Sequence, residues 1–242
     1  KAIVSSVPSI LQRGPCTGVL CSQASGVVTA PLCIDLFCGS FGWSAGWLEL
    51  GGRVVGFDLD HQPYHGSVPC GASLVLQDVL TLRGSQFRDA SLILASPPCT
   101  TFSFMSMPWS RAKAMAADYT AGKRDVKELT ALFEACFRIQ REACEAAGHH
   151  IPLVVENVCG AQKWVGVAKA HYGPYFLWGD VPALMPFGVA SKQPGHWFKD
   201  SGTASGSARF GSKSRQRKEW SATVAKIPYP LACWIARAWR PE

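Results

Sequence analysis

The sequence predicts an α/β protein built on a doubly wound, mostly parallel sheet, and three observations predict it. Short apolar runs recur at Leu32–Phe37, Arg53–Phe57, Ser73–Leu76, Ser91–Ala95 and Ile151–Val155, with the length and near-continuous apolarity of strands buried on both faces. Segments with helical spacing lie between the first and second of them and between the fourth and fifth. The exits of these runs carry a glycine turn, an acid or a thiol, as in open sheets whose ligands collect along the carboxyl edge.

Composition bounds the rest. A chain of 242 residues can bury a sizeable core and fits one domain, or one domain with a small appendage. A hydrophobic fraction of 48% with mean hydropathy near zero is that expected of a soluble globular protein. No apolar run approaches the roughly 20 residues of a membrane span, so no membrane partner is expected. Lys1–Ala30 carries Ser, Gly and Pro without a clear period and reads as a loosely ordered arm rather than a signal peptide. Ten cysteines are spread through the chain, and no pair has CxxC spacing. Neither a zinc site nor a redox motif is expected, and reduced thiols in a cytoplasmic protein are the simplest account.

The net charge of +7 favours a polyanionic partner. Its distribution says more, because Arg209, Lys213, Arg215, Arg217 and Lys218 meet no acid before Glu219. Such a cluster is an electrostatic footprint for nucleic acid, with a solvated basic loop as the plainer alternative.

Along the chain, Leu32–Phe37 runs into the turn Cys38-Gly39-Ser40-Phe41-Gly42, and Trp43–Leu50 then has helical spacing until Gly51-Gly52. Strand, glycine turn and helix let backbone amides approach a ligand beside a helix N-terminus. The second strand ends in Asp58-Leu59-Asp60, where a carboxylate is placed to accept from a ribose diol; either acid can instead cap the following turn, and Asp58 is favoured for the ligand. The third runs into Gln77-Asp78-Val79, again with an acid at its end. The fourth stops at Ser96-Pro97-Pro98, since two prolines cannot continue a ladder, and so sets Cys99 at the sheet edge.

Phe102–Ala121 mixes Met, Trp and basic residues without steady period, a plausible lid beside a candidate nucleophile, or else a surface excursion with a short helix around Arg111–Tyr119. Asp125–Ala147 is the clearest helix, with Val126, Leu129, Phe133, Cys136, Phe137, Gln140 and Cys144 on one face and Glu134–Arg138 and Arg138–Glu142 pairs on the other. The fifth strand, Ile151–Val155, exits into Glu156-Asn157-Val158. A carboxylate there suits a general acid, or one satisfied by backbone amides. Cys159–Pro186 is aromatic and turn-rich, Gln193–Ser214 is rich in Gly and Ser, and Pro228–Trp239 reads as a packing helix.

Together these pieces resemble the carbon-5 DNA cytosine methyltransferases. DLFCGSFG (Asp35–Gly42) is similar to their S-adenosylmethionine loop, FDLD (Phe57–Asp60) to the second motif and QDV (Gln77–Val79) to the third. SPPCTTFS (Ser96–Ser103) resembles the Pro-Cys nucleophile motif and VVENV (Val154–Val158) the Glu-Asn-Val motif. WSATVAKIPYPLACWIA (Trp220–Ala236) looks like a variant of the last motif, which in the family folds back beside the first. The order of the pieces is more specific than any one of them.

The resemblance implies a Rossmann-like S-adenosylmethionine-dependent fold, with a catalytic domain over 31–160, a small target-recognition region over 161–219 and a returning C-terminal motif over 220–242. It implies S-adenosylmethionine at Asp35, Phe37, Gly39, Ser40, Gly42, Asp58, Leu59, Asp78 and Pro98. Cys99 is the implied nucleophile, with Glu156 and Asn157 as its catalytic companions. Ser103, Arg209, Lys213, Arg215, Arg217 and Lys218 are the implied nucleic-acid contacts. The expected partner is double-stranded DNA with one cytosine flipped out, and the expected state is a monomer without metal. An RNA cytosine-5 methyltransferase and a catalytically idle nucleic-acid-binding relative are the alternatives; Cys99 and Glu156 argue against the second.

The chemistry asks for these residues independently. Carbon 5 of cytosine is a poor nucleophile until a thiolate adds to carbon 6, and a carboxylic acid at ring nitrogen 3 offsets the charge that develops. A base inside a duplex exposes neither face, so it must be extruded.

The chain departs from the family pattern at Phe41, where glycine is usual, at Thr100, where glutamine is common, and at Lys226, where asparagine is expected. It lacks a convincing Gln-x-Arg-x-Arg segment, since Arg215-Gln216-Arg217 is similar only in composition. The usual arginine contact to the base is therefore unassigned.

Overall fold

A computed structural model of the chain describes residues 30–103, 109–183 and 214–241. The expected arm up to residue 29, together with Arg209 and Lys213, lies outside the described residues. Seven strands form one sheet: β1 (Leu32–Leu36), β2 (Arg53–Asp58), β3 (Ala72–Leu76), β4 (Ala90–Ala95), β5 (Leu153–Asn157), β6 (Ala170–Tyr172) and β7 (Tyr175–Gly179). Their order is β3-β2-β1-β4-β5-β7-β6. Pairing is parallel from β3 to β5 and antiparallel where β7 joins β5 and β6. This is the doubly wound, Rossmann-like α/β sheet the apolar runs predict. The order reverses between β1 and β4, and the carboxyl ends of those two strands flank the switch point where such sheets hold their ligands.

Alternation along the strands divides the core in two. Ile34, Leu36, Ile93, Ala95, Leu153 and Val155 face the layer containing α3 (Val126–Ala147). Cys33, Leu92, Leu94 and Val154 face α1 (Ser44–Glu49) and a C-terminal helix, Tyr229–Trp239. Burial on both faces is what makes these strands read as continuous apolar runs.

The long helix α3 is bounded as its sequence predicts. Asp125 accepts from the Lys127 amide at 2.8 Å, and Gly148 closes it in the left-handed conformation at φ 73°. Its buried stripe is Phe133, Cys136, Ile139 and Ala143. Gln140, expected on that face, instead donates to the Ile151 carbonyl and to Asp180. The expected Arg138–Glu142 pair forms at 2.9 Å, while Glu134 accepts from Thr130 Oγ.

Four features differ from the sequence expectation. β5 runs on through Asn157 because Glu156 and Asn157 pair with Leu177 and Phe176 of β7 after the parallel pairing to β4 ends at Ala95–Val155. Residues 170–179, read from sequence with the recognition region, form the two outer strands of the same sheet. The segment after Cys99 leads into a helix, α2 (Trp109–Thr120), close to the short helix weighed as the plainer reading. After the short helix α4 (Gln162–Val165) and the hairpin, residues Arg215–Ala225 form α5, so Arg215 and Lys218 of the basic cluster are helical rather than loop. The C-terminal helix Tyr229–Trp239 is α6.

Among the described residues no helix is long and apolar enough to cross a membrane. None of their histidines, cysteines and acids form a group suited to a metal ion.

Candidate active site at the carboxyl edge

The glycine turn after β1 is wound tightly. Phe37, Gly39 and Phe41 all have positive φ, at 61°, 46° and 54°. For Phe41 this is a conformation that usually favours glycine. Its ring compensates by burial to 2% exposure, in the space left by Gly56, where a Cβ would lie 2.6 Å from the ring. The Phe41 side chain is thus accommodated by a glycine on the neighbouring strand.

The turn's glycines serve two purposes. A Cβ on Gly39 would meet nothing within 4 Å, so that backbone is open to a ligand. A Cβ on Gly42 would lie 2.7 Å from the Ile227 amide, and one on Gly46 2.5 Å from the Ala232 backbone. Those two glycines let Ile227 and α6 pack directly behind the turn.

Asp35 lies beneath the turn and is 1% exposed. Its Oδ2 accepts from Ser44 Oγ at 2.6 Å, while its Oδ1 is buried with no hydrogen-bond partner among the described residues. Burial pushes the carboxyl up to about 7; the Ser44 bond opposes this and the charge of Asp58 adds to it. Asp58 accepts from the Gly39 amide through Oδ2 and from the Leu59 amide through Oδ1, both at 2.8 Å. It therefore holds the glycine turn as well as standing at the predicted ligand position. Leu59 beside it is 72% exposed. Asp78 caps the turn Val79–Thr81 by accepting from the Leu80 amide at 2.9 Å.

The β4 exit is fastened on both sides. Ser96 Oγ accepts from the Trp43 indole at 2.9 Å, and the Pro97 carbonyl accepts from Asn157 Nδ2 at 3.0 Å. Pro97 is buried and Pro98 exposed. The next residue, Cys99, is half-buried, and its carbonyl accepts from the Phe102 and Ser103 amides at 3.0 and 2.9 Å. The thiol therefore projects from a short, hydrogen-bonded turn. All eight cysteines among the described residues are thiols.

Glu156 is 8% exposed and Asn157 1%. Strand alternation puts Glu156 on the α1 and α6 face with Leu177 opposite and Tyr175 diagonal to it. Burial, then the charge of Glu156, pushes the Tyr175 phenol up to about 12, so it is neutral at physiological pH. Its hydroxyl donates to the Lys226 carbonyl at 3.2 Å. The strand flanking Glu156 reads YFLWG and contributes no arginine or lysine, in keeping with the missing Gln-x-Arg-x-Arg segment.

The structure thus gathers Asp35, Gly39, Asp58, Cys99, Glu156 and Asn157 along one edge. It does not gather Arg215 and Lys218 there: α5, which carries them, packs on the turn Pro63–His65 beyond β2, on the opposite flank from β5. Arg215 is spent on Glu219 at 2.6 Å. The side chain of Arg217 lies outside the description. Trp43, Ser44 and Tyr175 are the site residues that sequence reasoning missed, because each acts across 9 to 53 positions of the chain.

No family model matches the chain, and no curated protein matches it. Solved structures resemble it over 57% of its length. One, described as a DNA modification methyltransferase encoded within a prophage of E. coli, is 21% identical with a TM-score of 0.39 and 35% of its own chain covered. The S. pombe Dnmt2 methyltransferase is 16% identical, with a TM-score of 0.37 and 37% covered. The Entamoeba histolytica methyltransferase EhMeth is 11% identical, with a TM-score of 0.36 and 41% covered. The matches thus span between about a third and two-fifths of those chains. Likeness at that level assigns no activity.

Proposed function

We propose that the chain is an S-adenosylmethionine-dependent DNA cytosine carbon-5 methyltransferase that works through a covalent Cys99 adduct. The observation that carries the reading is the hydrogen bond from Asn157 to the Pro97 carbonyl. It joins the two motifs whose residue types the chemistry needs, a thiol-bearing turn and a buried glutamate on the adjacent parallel strand.

The first turn suits the cofactor. Gly39 presents open backbone, and Asp35 offers a buried acceptor oxygen that lacks a partner, a donor set matched to a ligand with cationic groups. Asp35, Gly39, Asp58 and Leu59 would hold it. Bound there, S-adenosylmethionine supplies an electrophilic methyl group.

The chain's own residues do the rest. The Cys99 thiolate adds to carbon 6 of an extruded cytosine, forming a carbon–sulfur bond and moving electron density onto carbon 5 and ring nitrogen 3. Glu156 in its protonated form donates at nitrogen 3 and offsets that charge. Once carbon 5 carries the methyl group, its proton leaves to water, the carbon 6–sulfur bond breaks to return the thiolate, and nitrogen 3 gives its proton back to Glu156. Asn157 holds the Pro-Cys turn and is a positioning residue.

The test is incubation of the full chain with methyl-labelled S-adenosylmethionine and duplex DNA or RNA, followed by nucleoside analysis. Label in 5-methyldeoxycytidine is expected. Cys99→Ala is expected to abolish it while keeping S-adenosylmethionine binding within a few-fold. Robust turnover by the alanine variant, or label confined to another base atom, contradicts the mechanism; label in RNA alone corrects the substrate.

A further inference from the structure

A second cationic surface lies beside the Cys99 turn, distinct from the basic cluster on α5. The Tyr119 ring of α2 meets the Trp164 ring of α4 edge to face at 5.5 Å. Lys163 Nζ stands 4.5 Å over the Trp164 ring and donates to Thr120 Oγ at 3.3 Å, and Arg124 stands 5.8 Å over Tyr119. A cavity of about 70 Å³ opens between these rings and Thr101–Ser103 of the turn that follows Cys99. Lys123, Arg124 and Lys163 are exposed. Asp118 answers Arg124 at 3.6 Å, and among the described residues no acid pairs with Lys163.

From this arrangement we infer that the ladder is a contact surface for an unpaired stretch of polynucleotide next to the target base. The inference rests on the nucleic-acid substrate of the proposed function and adds where the strand runs. Three features support that partner over a protein or a lipid. Alternating cations and aromatic rings are what single-strand binding uses, phosphates meeting the cations and base faces meeting the rings. The exposed Lys163 stands over the Trp164 ring, so a base stacks there as the ammonium turns outward to a phosphate. The surface also reaches Thr101–Ser103, in the turn that starts at Cys99, and α4 follows β5 after a single turn. An extruded nucleotide leaves its neighbours unstacked at just such a place.

The experiment measures binding of fluorescein-labelled single-stranded DNA, duplex DNA and RNA of one sequence to the full chain by anisotropy across a salt series. Lys163→Glu is expected to weaken single-strand binding about tenfold and to lower the salt slope by about one. Trp164→Leu is expected to weaken it similarly, with S-adenosylmethionine affinity unchanged in both. Because Trp164 is half-buried, photocrosslinking of a bromodeoxyuridine-containing strand to the unaltered protein is read in parallel, and crosslinks at Tyr119 or Trp164 are expected. Binding by both variants within twofold of the parent, with crosslinks elsewhere, overturns the inference while leaving the methyltransferase reading intact. Failure of the parent protein to bind any of the three overturns both.

Discussion

The indole N–H of Trp43 donates to Ser96 Oγ at 2.9 Å and so ties the end of the glycine turn to the start of the Pro-Cys turn, 53 residues away. The glycine turn and the Pro-Cys turn are therefore one connected piece of structure. Ser96→Ala removes the acceptor and leaves a part-buried indole donor unmatched, at a cost of about 1–3 kcal/mol. The expected result is a lower midpoint in thermal unfolding and losses in both S-adenosylmethionine affinity and turnover. A variant that loses neither places the two turns as independent.

Asn157→Ala tests the other fastening. The Pro97 carbonyl loses its donor, and the Pro-Cys turn loses the contact that fixes it to β5. Turnover is expected to fall at least tenfold while S-adenosylmethionine affinity stays within twofold, as separate rate and calorimetric measurements will show. The split matters because a merely structural loss would lower both.

Two glycines separate packing from ligand access. Gly46→Ala forces a methyl group to 2.5 Å from the Ala232 backbone, and such overpacking costs about 1–3 kcal/mol. Gly39→Ala meets no neighbour and costs only the strain of φ 46°, on the order of 1 kcal/mol. The first is expected to lower the denaturation midpoint more. The second is expected to weaken S-adenosylmethionine binding more, because Gly39 lies in the cofactor site proposed above and its backbone is open.

Asp35 predicts a pH dependence. Its carboxyl is raised in the fold from 3.8 to about 7, so between those values the folded state keeps a proton that the unfolded state releases. Stability contributed at this residue is therefore greatest below pH 4, falls as pH rises towards 7 and is level above it. Asp35→Asn is expected to lack that slope. Urea denaturation of both proteins at pH 5 and pH 8 checks it, the expected outcome being a smaller loss in the variant.

The sequence made β1, β2, β4 and α3 legible because burial on both faces writes continuous apolar runs, and because Asp125 and Gly148 punctuate the helix. The β6–β7 hairpin was harder to see. Its strands are short, its residues are aromatic, and their pairing comes from β5 rather than from local pattern. The same pairing carried β5 past Val155 and put Glu156 and Asn157 inside the strand. Arg215–Ala225 is polar enough that no helical face stands out. Motif residues of the site were visible one by one, but their fastenings were not: Trp43 to Ser96, Asn157 to Pro97 and Tyr175 to Lys226 each join distant segments.

The central claim is that Cys99 bonds covalently to the base it methylates. The most direct measurement mixes the full chain with S-adenosylmethionine and duplex DNA carrying 5-fluorocytosine, in which fluorine replaces the proton whose loss frees the thiolate. A denaturation-resistant adduct, mapped by mass spectrometry to Cys99 and absent from Cys99→Ala, is the predicted result. Methylation of ordinary DNA without any such adduct, or an adduct that survives the alanine substitution, would contradict it.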